Sequence, residues 1–259
     1  MPDSPRRRRL RASALLAALV LPALGAGCGD SSGRVTLTVL ATSSMTEVLG
    51  EIGTAYQQEN PDVRVRFAFG GTPEIADRLA EHEPPDVLVT ADGASMDEER
   101  EHLGGRRRVI AHDSLTIAVG PGNPRRVRDL RDLARPGLRV AVGAGTVPVG
   151  RYTRQVLARA GVQVRWTSEE TSARAVLDRI RAGEADAGLV FITDLRSAGI
   201  AASSVPIPAD LNVTAAFPAA AVRGGEHEDT ADAFVSWLLT PGAQRLFNKY
   251  GFVTPTAPQ

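Results

Sequence analysis

Three segments of the chain place a hydroxyl-bearing residue or a proline where a predicted helix begins. Ser44 with Glu47 fits a capping box, Thr72 stands before Pro73, and Pro148 fits a first helical position. Each helix start leaves main-chain N–H groups without an acceptor and carries a partial positive charge. Together, the three starts predict an anion receptor that uses neutral donors instead of a cationic side chain.

The ligand that suits such a receptor is a doubly charged oxyanion that stays ionised at neutral pH, because it needs donors alone. Neutral dipoles also leave no uncompensated buried charge when the receptor is empty. The hydroxyls of Ser44 and Thr72 would add charge-assisted hydrogen bonds. Taken singly, each residue is better explained as an ordinary helix cap, so the hypothesis depends on their convergence.

The elements that would position these helix starts follow an order of strand, turn, helix and strand, which predicts an α/β fold of two lobes. Each lobe is expected to contain a mostly parallel sheet covered by helices. The first lobe is predicted to comprise residues 34–112 plus 224–259, and the second residues 113–223. Since ligands bind beyond the carboxyl ends of such strands, the site is expected in the cleft between the lobes.

The individual elements are predicted from hydrophobic periodicity. Strands are expected at residues 35–40, 63–69, 86–90, 115–119, 138–142, 162–166, 187–191 and 216–222. Helices are expected at 45–59, from the turn 70–73 through 79, and at 148–160, 173–182 and 230–250.

Residues 1–27 have the pattern of an export signal, with five arginines, an apolar run at 10–24 and small residues before Cys28. The run is shorter than the roughly 20 residues of a membrane-spanning helix. The arginines suit either the general or the twin-arginine export route.

Cys28 is the only cysteine, so an intramolecular disulfide is impossible. Residues 24–28 (LGAGC) resemble the lipobox of bacterial lipoproteins, in which the cysteine is acylated. We therefore expect residues 28–33 to form a lipid anchor and tether that hold the protein on the outer face of the cell membrane, in the periplasmic space. The alternative is an unmodified thiol beside an ordinary cleavage site.

Charge and motif content argue against two classes of function. Without residues 1–27 the chain has 25 basic and 29 acidic groups, a net charge of −4, which makes it a poor candidate for nucleic-acid binding. No pattern joins a nucleophile to a base, so no enzyme and no cofactor are expected.

Asp86 and Asp92, which flank a strand, are expected to cap or pair locally instead of holding a metal ion.

Six motifs resemble, in order, the periplasmic molybdate-binding proteins of ABC transporters, within the type II solute-binding proteins. They are VLATSSMT at 39–46, FGGT at 69–72, PDVLVTAD at 85–92, VPVG at 147–150, GEADAGLVF at 183–191 and KYGF at 249–252. The resemblance covers nearly all of the chain after the predicted signal.

The resemblance implies an oxyanion site made of two hydroxyl residues, two main-chain amides and a tyrosine. Matched motif by motif, these positions are Ser44, Thr72, the amides of Val149 and Ala173, and Phe191. Thr72 replaces a serine, and Phe191 replaces the tyrosine, which removes a donor. The missing hydrogen bond would weaken binding by about 1.5–3 kcal/mol unless water or Ser43 substitutes. Phe191 can equally be an ordinary core residue.

The function implied by the resemblance is capture of molybdate, or tungstate, by closure of the two lobes and delivery to an ABC permease. The site would meet molybdenum only through the oxygen atoms of the anion, and a monomer would suffice. Two alternatives remain open, namely another tetrahedral oxyanion such as sulfate, and a sensor module that uses the same fold without transport. Phosphate is less favoured because its proton requires an acceptor that the matched positions lack.

Overall fold

The computed structural model of the protein describes residues 34–79 and 85–255, which belong to one compact unit. The predicted export signal, Cys28 and the predicted tether lie outside the described residues. The strands are β1 Val35–Thr42, β2 Val63–Gly70, β3 Val87–Val89, β4 Arg108–Asp113, β5 Leu115–Val119, β6 Val140–Gly143, β7 Ser168–Glu170, β8 Ala187–Phe191, β9 Ser203–Val205 and β10 Ala215–Ala221.

The α-helices alternate with these strands over much of the chain, as the sequence predicts for an α/β fold. They are α1 Thr46–Glu59, α2 Thr72–Leu79, α3 Gly93–Glu98, α4 Pro148–Ala160, α5 Ala173–Arg181, α6 Ile192–Ala198, α7 Glu228–Trp237 and α8 Pro241–Tyr250. Short 3-10 turns occur at Ser43–Met45, Arg100–His102, Leu130–Ala134 and Gly199–Ala201. No helix within the described residues is long and apolar enough to span a membrane.

Two five-stranded sheets form the centres of two lobes, which confirms the predicted two-lobed α/β architecture. The strand order is β2-β1-β3-β10-β4 in the first sheet and β7-β6-β8-β5-β9 in the second. The chain crosses to the second sheet between β4 and β5 and returns between β9 and β10. Both crossings lie close together, because Ala215 is the register partner of Asp113.

Two features of the sheets differ from the prediction. In each sheet two strand pairs are parallel and two are antiparallel, so the sheets are mixed and not mostly parallel. The second lobe also ends before residue 215, because β10 lies between β3 and β4 in the first sheet. Its small apolar residues indicated a buried strand, but periodicity does not reveal which sheet a strand joins.

Two local elements were also predicted wrongly. Residues 162–166 form no strand, and the edge strand β7 follows at Ser168–Glu170. The single helix expected at 230–250 is two helices, α7 and α8. Thr240 caps the second by accepting a hydrogen bond from the amide of Ala243, and Pro241 occupies its first turn, where proline is tolerated.

Four phenylalanine rings connect the two lobes. Phe191, at the end of β8, lies 5.3 Å from Phe217 in β10, which lies 5.4 Å from Phe252. Phe252 in turn contacts Phe247 in α8, and all four side chains are buried. The edge-to-face geometry of these pairs is one that aromatic rings favour, so the hydrophobic core is continuous between the two lobes.

Candidate functional site

A cavity opens between the lobes where helices from both of them begin. The empty space in and around it is about 240 Å³, a figure that includes open solvent. Its lining contains all five residues that the resemblance selected, together with main-chain and small side-chain groups beside them. The lining residues are Thr42, Ser44, Gly71, Thr72, Ala91, Val147, Pro148, Val149, Thr171, Ser172, Ala173 and Phe191. None of them carries a charged side chain.

Each donor reaches the cavity because a strand of its sheet ends there and a helix begins. Ser44 lies in the 3-10 turn after β1, and Thr72 opens α2 after β2. In the second lobe Val149 is the second residue of α4, and Ala173 opens α5. The first amides of a helix have no acceptor in their own helix. Helix starts from both lobes therefore line one cavity.

The local predictions for these helix starts have mixed outcomes. Pro148 is the first residue of α4, as expected. Thr72 is itself the first helical residue, and the carbonyl of Gly71 accepts the first turn's hydrogen bond from Ile75. The capping box at Ser44 is wrong, because its hydroxyl donates to Asp194 at 2.7 Å and caps no amide.

Gly71 allows the lobes to approach each other at the cavity. A Cβ atom on this residue would lie 2.5 Å from the carbonyl oxygen of Thr171 in the second lobe. Real side chains do not tolerate this separation, so any larger residue at position 71 would push the lobes apart. The second glycine of the FGGT motif is thus explained by the close approach of the two lobes.

The two remaining predicted positions differ in their relation to the cavity. Phe191 lines it, yet its side chain is 1 % exposed and packs against Phe217 and Tyr152. It is therefore both a core residue and part of the cavity wall. Ser43 does not line the cavity, and its buried hydroxyl oxygen has no hydrogen-bond partner among the described residues.

A buried carboxyl group, Asp194, lies directly behind Ser44. It occupies the first turn of α6 and is 0 % exposed. Arg174 Nε lies 3.3 Å from its Oδ1, and the Arg174 guanidinium also contacts Glu47 of the first lobe. Burial raises the pKa of Asp194 to about 7, although the Ser44 hydrogen bond and Arg174 oppose the shift.

A second inter-lobe contact lies beside the cavity. Arg151 of α4 donates from Nε and Nη2 to the two carboxylate oxygens of Asp92, at 2.7 and 3.0 Å. We call this bidentate pair the clasp. Burial disfavours the Arg151 charge, but the Asp92 contact outweighs it and raises the pKa of the guanidinium. Asp92 also caps α3 by accepting from the amide of Ser95, as its predicted local role requires.

The sequence interpretation missed Asp194, Arg174 and Arg151 as parts of the cleft. Asp194 follows the end of β8 by three residues, in the place where strand ends supply functional groups, so its position was a usable signal. Arg151 and Arg174 gave no such signal, because the chain contains many arginines and each of these two pairs with a carboxylate of the opposite lobe. No cluster of metal-ligating side chains occurs among residues 34–79 and 85–255.

Comparison with known proteins places this architecture in a family. Residues 37–253 match the family model described as bacterial extracellular solute-binding protein. The chain belongs to this family. Its two lobes and interlobe cavity thus correspond to the general task of binding a solute outside the cytoplasm.

Among relatives within this solute-binding family, the molybdate-binding protein ModA of Mycobacterium tuberculosis is 32 % identical over 229 residues, covering 88 % of each chain. The solved periplasmic molybdate-binding protein of Azotobacter vinelandii superposes with a TM-score of 0.73 at 22 % identity, over 85 % of this chain and all of that one. The sulfate-binding protein SubI of Mycobacterium tuberculosis gives 0.72 at 18 %, over 84 % and 86 %. These structural likenesses concern the fold alone.

Proposed function

We propose that this protein captures molybdate, and also tungstate, in the interlobe cavity and delivers it to the permease of an ABC transporter. The observation that carries the proposal is that Ser44, Thr72, Val149 and Ala173 line one cavity whose lining has no charged side chain. The two hydroxyls and the two main-chain amides are the proposed donors. Such donors stabilise a dianion and cost little when the site is empty. The 32 % identity to a protein named for molybdate binding supports the same ligand.

Capture proceeds by closure. Two of the four donors belong to the first lobe and two to the second, so only the closed form can contact the anion from both sides. The anion therefore shifts the equilibrium towards closure by its differential contacts. The clasp and the Arg174–Glu47 pair add attraction between the lobes in that form. The closed lobes then form the surface that a permease recognises.

The site as proposed holds the anion by its oxygen atoms and performs no chemical step. The protein acts as a monomer held at the outer face of the membrane by acylated Cys28, with residues 29–33 as a tether. Mass spectrometry of the protein purified from membranes tests the anchor: we expect an N-terminal diacylated Cys28, and a soluble product cleaved elsewhere would contradict it.

Sulfate is the second candidate, because the neutral donors suit any tetrahedral dianion and Phe191 lacks the hydroxyl that the resemblance leads us to expect. Molybdate and sulfate are expected to differ in how well their oxygen atoms fit the fixed positions of the donors. Calorimetric titration of residues 34–259 with molybdate, tungstate, sulfate and phosphate tests them together. We expect strong binding of the first two and weak or no binding of the others; preference for sulfate would change the ligand, and no binding would favour the sensor alternative.

Matched variants locate the binding to the cavity. Ser44→Ala and Thr72→Ala each remove one hydroxyl from the lining, whereas Thr54→Ala removes one from the exposed side of α1, where it bonds only to Gly50 of its own helix. The first two are expected to weaken molybdate binding and the third to leave it unchanged. Equal effects of all three would contradict the assignment of the site.

A further inference from the structure

The contact between Ser44 and Asp194 has a consequence for anion binding. The Ser44 hydroxyl carries one proton, and in this structure it is donated to Asp194 Oδ2 across the lobes at 2.7 Å. A hydroxyl cannot donate the same proton to a bound oxyanion. If Ser44 turns its proton towards the anion, its oxygen and Asp194 Oδ2 face each other with lone pairs only. A proton on Asp194 removes that conflict, because the carboxyl group then donates to Ser44.

The surroundings of Asp194 also favour a protonated carboxyl group once a dianion is present. Its side chain is 0 % exposed, and its Oδ1 has no hydrogen-bond partner among the described residues. Arg174 is close but is not aligned as a donor, and part of its charge is directed at Glu47. A dianion one hydrogen bond beyond Ser44 adds negative charge in a poorly solvated space, which further disfavours the carboxylate.

The charged groups that face Asp194 come from several elements, and two of them are acidic. They are Glu47 from α1, Arg174 from α5 and Asp113 at the end of β4. Arg196 of α6 acts on Asp113. Asp113 accepts hydrogen bonds from Ser114 and Thr193 and does not contact Ser44. Asp194 is thus the carboxyl group in direct contact with a predicted anion donor.

We propose that Asp194 is a positioning residue for Ser44 and that anion capture is accompanied by uptake of one proton from solvent onto its carboxyl group. The inference rests on the proposed function. In the bound state the Asp194 carboxyl donates to Ser44 Oγ, and Ser44 donates to an anion oxygen. No covalent bond of the anion is formed or broken.

Calorimetry of residues 34–259 with molybdate at pH 8, in Tris and in HEPES, measures the proton directly. The two buffers release different heats per proton, so we expect the observed enthalpies to differ by an amount equivalent to nearly one proton per anion. At pH 6, measured in MES and Bis-Tris, the difference should be much smaller, because Asp194 with a pKa raised to about 7 is then mostly protonated before the anion binds. Because burial raises the pKa of Asp194 to about 7 when no anion is bound, the dissociation constant is expected to rise about fivefold from pH 7 to pH 8.

The Asp194→Asn variant distinguishes positioning from a merely structural role. The amide that it introduces can donate to Ser44 without taking up a proton, so we expect the buffer difference to disappear and affinity at pH 8 to equal or exceed that of the unaltered protein. Asp113→Asn, which changes a buried neighbour that does not contact Ser44, is expected to keep the buffer difference.

Binding of molybdate with equal heats in both buffers and a dissociation constant independent of pH would overturn the proton uptake and leave the proposed function intact. Absence of binding to all four anions would overturn both. If Asp194→Asn fails to fold, the measurements on the unaltered protein still decide the question.

Discussion

The interface between the lobes contains two adjoining regions of opposite chemistry. The cavity presents hydroxyls and helix-start amides without a charged side chain, whereas the neighbouring clasp joins Arg151 to Asp92 by two hydrogen bonds. In the cavity, charge is left for the ligand to supply. In the clasp, charge is supplied and neutralised by the protein itself. The cleft can therefore bind an anion through neutral groups while the clasp favours closure of the two lobes.

The strongest test of the cavity is the Ser44→Ala variant. Loss of a hydrogen bond to a charged ligand costs about 1.5–3 kcal/mol, so we expect molybdate affinity to fall about 10- to 100-fold. Calorimetry measures the change, and circular dichroism controls for folding. An unchanged dissociation constant would show that Ser44 does not donate to the anion.

The clasp is tested by Arg151→Met, which keeps much of the apolar stem and removes the inter-lobe pair. Because the pair supports only the closed form, we expect about a tenfold loss of affinity, through faster anion release, with the order of anion preference unchanged. The control is Arg139→Met, which breaks a comparable pair with Asp186 inside the second lobe. Equal losses in the two variants would contradict a specific role of the clasp.

The cavity wall is tested by Phe191→Tyr, which adds the hydroxyl that the resemblance leads us to expect. We expect affinity for molybdate to increase by a few fold, since a new donor is gained but the ring is already packed against Phe217. Calorimetric titration with molybdate and sulfate measures the effect on both anions. Weaker binding of both would indicate that Phe191 serves packing alone.

The last prediction concerns the stability of the empty protein and not its affinity for the anion. Burial raises the pKa of Asp194 to about 7 and that of Asp113 to about 6, above the values of unfolded carboxyl groups near 4. Between pH 4 and 7 the folded state therefore binds more protons than the unfolded state, and these groups make stability fall as pH rises. Thermal melts of Asp194→Asn should show a shallower fall over this window. If the melting temperature of Asp194→Asn depended on pH in the same way as that of the unaltered protein, the raised pKa assigned to Asp194 would be wrong.

The sequence predicted the two-lobed fold and the helix starts beside the cavity better than it predicted the contacts between the lobes. Helix starts after apolar strands are local features, so the starts near Ser44, Thr72 and Pro148 were recognisable from neighbouring residues. Val149, Ala173 and Phe191 were selected only by the family resemblance. The strand β10 was recognised as a strand, but its place in the first sheet depends on a return crossing that periodicity does not encode. The clasp and the Ser44–Asp194 bond join residues about 60 and 150 positions apart in different lobes, so no spacing rule identifies them.

Four neutral donors from both lobes are proposed to hold the anion without a cation. A crystal structure of residues 34–259 with tungstate examines this arrangement atom by atom, because tungsten can be located by its anomalous scattering. We expect tungsten in the interlobe cavity, with its oxygens within hydrogen-bond distance of Ser44, Thr72 and the amides of Val149 and Ala173. Tungsten bound elsewhere, or held by an arginine or lysine side chain, would refute the proposed site.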